Sequence, residues 1–247
     1  MKNPPTDRDT LFAGKQQDLI NFEFNEQVAQ VFPDMITRSV PGYRNLITQI
    51  GLLAEQYARP DSHCYDLGCS LGAATLSMQQ RIQADNCDII AVDNSAAMLE
   101  RCQLHLAAAD ESSVAVQLQC ADIRDVTIEN ASIVVLNFTL QFITLEQREP
   151  LLQNIYHGLL PGGVLILSEK LCFTEDTEQQ LMTDLHLAFK RANGYSDLEI
   201  SQKRAALENV LIPETLTTHI ERLKRVGFSQ ASQWFQCFNF ASILAIK

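Results

Sequence analysis

One stretch, His63 to Leu76, constrains this chain more than any other: His-Cys-Tyr-Asp-Leu-Gly-Cys-Ser-Leu-Gly-Ala-Ala-Thr-Leu. An apolar run closes on an acid, breaks at a glycine and passes straight into helix-compatible residues. The pattern predicts a buried strand, a tight turn bracketed by Gly68 and Gly72, and a helix. Glycine lets the backbone approach a ligand closely, and a helix start offers free N–H groups. Such a turn suits a nucleoside.

Further apolar runs repeat the design. Residues 88–93, 114–120, 131–137 and 164–168 read as strands, the last entered by a Leu-Pro-Gly-Gly turn. Helical patterns fill the gaps at 44–58, from the glycine turn to about 84, from a Ser95 cap to about 109, and over 145–158. This alternation predicts a parallel sheet with helices on both faces, and unbroken apolar strands agree with it. An earlier helix starts near Phe24, with Val28, Val31, Phe32, Met35 and Ile36 at spacings of three and four. Pro33 is expected to kink or split it. Residues 171–226 leave the rhythm and read as a helical insert, with helices at 177–192 and 198–209. Two last strands, 229–238 and 241–246, lie too close together for a crossover and predict an antiparallel hairpin. The expected organisation is a loosely ordered N-terminal arm, 1–23, then a single α/β domain, 24–247, carrying the insert.

A net charge of -11 repels phosphate backbones, so direct nucleic-acid binding is not expected. The seven cysteines form no CxxC pair, which argues against a disulfide scaffold or a zinc site and for a reducing, cytoplasmic setting. No apolar run approaches the length of a membrane span, and Met1 to Thr10 has no signal-like core. A soluble, unexported protein without a metal is the expectation.

The turn itself has the form acid-x-Gly-x-x-x-Gly, with Ser70 where a strict dinucleotide motif carries glycine. An acid such as Asp66 before the first glycine suits a ligand with an amino group and no pyrophosphate, and S-adenosylmethionine is such a ligand. Asp93 lies 21 residues beyond Gly72, the spacing at which a carboxylate accepts from ribose hydroxyls. Asp122 closes the third strand, where it can reach the adenine amino group while the Ile123 backbone meets the ring. Asn137 closes the fourth and faces the reacting centre. All four are strand ends, where open α/β sheets bind ligands. Basic residues concentrate in the insert at Lys190-Arg191 and Lys203-Arg204. They offer either a solvated face or, through an arginine fork, capture of a carboxylate.

With the terminal hairpin, this arrangement resembles the class I S-adenosylmethionine-dependent methyltransferases over about 43–169 and 214–247. It implies a Rossmann-like, mostly parallel seven-stranded sheet ending in the antiparallel hairpin. Common acceptor motifs are missing: Asn137-Phe138-Thr139-Leu140 stands where Asn-Pro-Pro-Tyr would hold a planar amine, and no Pro-Cys pair exists. Longer stretches resemble the carboxy-S-adenosyl-L-methionine synthase family. They are Val31 to Ile36, Arg38 to Tyr43, Tyr65 to Thr75, Asn137 to Phe142, Phe189 to Arg204 and Trp234 to Phe240. The resemblance implies that S-adenosylmethionine is a substrate carboxylated at the expense of prephenate. It also implies a homodimer whose product passes to a carboxymethyltransferase acting on wobble uridine of tRNA. By the same resemblance Tyr43, Gly68, Cys69, Ser70, Asp93, Asn94, Asp122, Ile123 and Asn137 hold the nucleoside and Arg204 pairs with the carboxylate. An ordinary small-molecule methyltransferase and a non-catalytic S-adenosylmethionine-binding subunit are the alternatives.

Overall fold

The structure is a computed structural model that describes residues 8–14, 23–109, 112–208 and 210–247. Much of the expected arm, and the expected helix end at Asn209, lie outside those residues. Seven strands form one sheet: β1 (His63–Leu67), β2 (Asp88–Asp93), β3 (Val116–Cys120), β4 (Ala131–Asn137), β5 (Leu159–Lys170), β6 (Gln230–Cys237) and β7 (Phe240–Ile246). Their order is β3-β2-β1-β4-β5-β7-β6; the first five run parallel, and β7 is antiparallel to both β5 and β6.

Parallel strands covered on both faces need apolar side chains throughout, and β4 is buried along its length up to Leu136. On one face α2 (Tyr43–Tyr57) and α3 (Ala73–Gln79) bring Leu46, Ile50, Ala54, Ala74 and Met78 onto Ile89, Ile133 and Val135. On the other, α5 (Leu145–Gly158) and α8 (Leu216–Val226) bring Leu151, Leu152, Ile155 and Leu223 onto Val134, Leu165 and Ile243. Burying each large aliphatic side chain is worth roughly 1.5–3 kcal/mol, so these two layers supply the main driving force. The α4 helix (Ala96–Ala108) starts at Ser95, whose hydroxyl accepts from the Met98 N–H.

Three local expectations are corrected. Pro33 does not split the first helix: α1 runs unbroken over Glu26–Ser39, capped by the Asn25 side chain. The hydrogen bond that proline forfeits is outweighed by the buried stripe Val28, Val31 and Met35. The α3 helix stops at Gln79 rather than near 84, because both Arg81 and Ile82 donate back to the Met78 carbonyl and the chain turns there. The Leu160 to Gly163 turn is a bulge inside a longer β5: Ala131 pairs with Leu159 and Ile133 with Val164, with Gly162 at φ 71° taking up the extra residues.

Between β5 and α8, two helices, α6 (Asp176–Ala192) and α7 (Asp197–Leu207), rise over the carboxyl ends of the strands. The α8 helix, within the stretch 171–226, packs on the sheet instead. The described part of the arm is docked, not loose. Asp9 is buried against α1 and the cap, accepting from the Tyr195 hydroxyl at 2.5 Å, while its own N–H donates to Asp34 at 2.8 Å.

Candidate active site

The β1 turn is shaped by backbone that only a few residues tolerate. Gly68 and Gly72 have φ of 81° and 80°, and Ser70 between them takes φ 51°. A Cβ on Gly68 would stand 2.4 Å from Thr139 Oγ1, and one on Gly72 would stand 2.5 Å from Cys102 Sγ. Both glycines are therefore required by fit as well as by φ. The N–H groups of Gly68 and Cys69 both donate to the Val92 carbonyl, clamping the turn to β2.

Asp93 completes the clamp. One carboxylate oxygen accepts from Ser70 N–H at 2.8 Å and the other from Ser95 N–H at 2.9 Å. Burial raises its pKa, offset in part by those two bonds. Asp66 lies deeper, accepting from Thr75 Oγ1 at 2.6 Å, and burial pushes its pKa up to about 6, with the Asp93 charge adding to the effect. Burial also raises the Tyr43 hydroxyl, and the Asp66 charge raises it further. Two buried acids with no ion pair among the described residues suit a cationic ligand.

Behind these strand ends lies a cavity of about 540 Å³. Tyr43, Asp66, Gly68, Cys69, Ser70, Asp93, Asn94, Asp122, Ile123 and Asn137 all line it, so ten of the expected positions converge. Arg204 is not among the lining residues; it is exposed on α7, next to Lys203, which does line the cavity. Its charge still reaches inward, since it contributes to lowering the pKa of Lys170 after burial has done most of the work. Asp122 is engaged by Arg124, which donates to it through its N–H at 2.9 Å and Nε at 2.8 Å and holds its carboxyl below the usual range. At Asn137, Oδ1 is buried and unpartnered, an acceptor left open in the cavity wall. Phe138 follows it at φ 61°, an unfavourable conformation for an aromatic residue, held by its N–H bond to the Ser168 carbonyl and by edge contact with Phe240.

Arg124, Lys170 and His186 also line the cavity. The sequence offered little to find them: none lies in the glycine-turn pattern, and β5 and α6 bring two of them in from far along the chain. Of the basic insert residues, Lys190 and Lys203 face the cavity, whereas Arg191 pairs with Asp197 on the surface. The glycine cradle, the two buried acids and the open Asn137 acceptor are residues of a kind that fits S-adenosylmethionine, a cation with hydroxyls and no phosphate.

Fold and cavity together define a protein of the class I S-adenosylmethionine-dependent methyltransferase fold. A family model described as a methyltransferase domain matches residues 65–163. A Methanococcus maripaludis structure assigned to the S-adenosyl-L-methionine-dependent methyltransferases superposes with a TM-score of 0.61 at 19% identity, over 95% of this chain and 97% of that one. Human N-acetylserotonin methyltransferase in complex with SAM gives a TM-score of 0.61 at 20% identity over 90% of this chain, which spans only 55% of that enzyme. Sequence relatives are far nearer. A carboxy-S-adenosyl-L-methionine synthase from Trichlorobacter lovleyi is 63% identical over 97% of this chain and 98% of its own, and one from Vibrio cholerae serotype O1 is 58% identical over 100% of both. The chain belongs to the carboxy-S-adenosyl-L-methionine synthase family.

Proposed function

We propose that this chain converts S-adenosyl-L-methionine and prephenate to carboxy-S-adenosyl-L-methionine and phenylpyruvate. The observation that carries the reading is identity of 58–63% over nearly the whole chain to relatives of that name. In this reading Asp66 pairs the methionine ammonium, Asp93 and Asn94 hold the ribose, and Asp122 and Ile123 meet the adenine. Tyr43, Gly68, Cys69, Ser70 and Asn137 complete the enclosure. Arg204, whose charge is felt at Lys170, acts on the carboxylate of donor or product.

The chemistry balances without a metal. Aromatisation expels the ring carboxyl of prephenate as carbon dioxide together with its ring hydroxyl. The sulfonium-bound methyl loses one proton and gains the carboxyl, and proton and hydroxyl leave as water. The chain's task is to keep this step dry and to hold anions near the sulfonium. The reading extends to a cytoplasmic homodimer whose product feeds a tRNA carboxymethyltransferase. None of the described helices is long and apolar enough to cross a membrane.

The test is direct. Incubation with S-adenosylmethionine and prephenate should give, by mass spectrometry, an adduct heavier by carbon dioxide, with phenylpyruvate formed in equal amount. Unchanged cofactor would point to a binding subunit. S-adenosylhomocysteine appearing only with a methyl acceptor would point to an ordinary methyltransferase. Either outcome sinks the proposal.

A further inference from the structure

The cavity is chemically two-ended. Asp122 follows β3 and Lys170 closes β5, four strands apart in the sheet order. At about 4.8 Å per strand this separates them by roughly 19 Å. The first end carries carboxylates for a nucleoside. The second is walled by Lys170, Lys190 and Lys203; Leu207, one turn beyond Lys203 on α7, and Leu211, whose N–H donates to the Leu207 carbonyl, also line the cavity.

Positive charge at that end is in surplus. Lys203 Nζ lies 3.2 Å from Ser39 Oγ and 3.8 Å from Asp9 Oδ2. Arg38 takes Asp34 at 2.9 Å. Among the described residues, Lys170 and Lys190 have no ion pair and no side-chain hydrogen bond. His186 Nε2 donates to the Ser39 carbonyl, 2.8 Å away, and burial, with the Lys190 charge adding to it, lowers its pKa to about 3, so it stays neutral. Two carboxylates, Asp9 and Asp34, thus face four cations in a protein whose net charge is -11. Glu169 does not redress the balance: it precedes Lys170 in β5 and so projects to the opposite face, where it accepts from the Leu140 N–H. Burial brings Lys190 down to about 7, with repulsion from Lys203 and Lys170 adding to it, and brings Lys203 to about 8, where Asp9 opposes the fall and Arg38 adds to it: buried cations short of negative charge.

We propose that Lys170, Lys190 and Lys203 form a dicarboxylate subsite that seats the second substrate, its ring against the adjoining leucines, at the end of the cavity away from the nucleoside. This rests on the proposed reaction for the identity of that substrate, but the charge argument asks only for a small dianion. Lys190 and Lys203 hold it; Lys170, at the strand end beside Ser168, orients the carboxylate nearest the sulfonium.

The test is calorimetric titration of the protein, saturated with S-adenosylhomocysteine, which has no sulfonium methyl to carboxylate, with prephenate and separately with malonate. Wild type should bind prephenate, more weakly as salt rises. Lys190→Gln and Lys203→Gln should each weaken it by about tenfold or more, the loss expected for one charge-assisted contact. S-adenosylmethionine affinity should stay within about threefold, and Lys190→Arg should restore most of the loss. Wild-type prephenate affinity in both Gln variants would overturn the subsite, as would parallel loss of S-adenosylmethionine binding. If wild type binds malonate through these lysines but neither binds nor consumes prephenate, the subsite stands and the proposed reaction falls.

Discussion

Asp66 is an acid that its surroundings leave short of positive charge, and in the proposed reading the methionine ammonium would relieve that. Its pKa of about 6 in the unliganded pocket means that the acid is protonated below that pH and must ionise to pair a cation. S-adenosylmethionine affinity should therefore be level above pH 7 and fall by up to tenfold per unit below pH 6, measured as Kd by calorimetry. Asp66→Asn should bind more than about tenfold more weakly at pH 7.5 and lose that pH dependence. An unchanged profile in the variant would remove Asp66 from the role. Gly68→Ala is the steric counterpart. A methyl 2.4 Å from Thr139 Oγ1, at φ 81°, should cost on the order of 1–3 kcal/mol in urea unfolding and weaken cofactor binding as the turn shifts.

The elements around the cavity are tied by one buried arginine. Arg148, on α5, donates to the Ile143 carbonyl at 2.9 Å, to Gln141 at 3.2 Å and to Ile212 at 2.7 Å, and pairs with Glu214, which also takes Arg222. It thereby joins the 3-10 turn Leu140–Phe142 to the segment where the cap rejoins the sheet. Arg148→Met should cost about 3–5 kcal/mol by urea unfolding, because it strands three carbonyls and half of a buried ion network. A loss below about 1 kcal/mol would show that the cap is held elsewhere. Beside this network Glu169 is pushed up to about 8 by burial, against the Arg148 charge that pulls it down. The folded value lies above the unfolded one, so the stability it contributes is complete below about pH 4.5 and is lost as pH rises through 8. Glu169→Gln should abolish that decline, so that its Tm advantage over wild type grows from pH 5 to pH 8.

At the scale of the whole molecule, the cap carries an outward apolar face. Leu181 and Leu185 are 55% and 37% exposed one turn apart on α6, and Leu198 on α7 is 40% exposed. The proposed homodimer would use this face. Sedimentation should give twice the chain mass of 27.7 kDa, and Leu181→Asp with Leu185→Asp should halve it. A monomeric wild type would refute the dimer.

Sheet, helices and nucleoside turn were legible because each is a local pattern. Apolar runs ending in acids give parallel strands, small residues after glycine give a helix start, and a two-residue gap gives a hairpin. The strand ends Asp66, Asp93, Asp122 and Asn137 followed, since a parallel sheet delivers successive carboxyl ends to one edge. Tertiary structure alone decided the other half of the cavity. It brought Lys170 from β5 and Lys190 and Lys203 from two cap helices onto one wall, left Arg204 outside it, and packed Asp9 beneath Lys203. It also carried α1 on through Pro33 without a break. Such outcomes depend on how helices dock over a sheet and on the balance of buried charge among residues more than a hundred positions apart, and no local spacing encodes that.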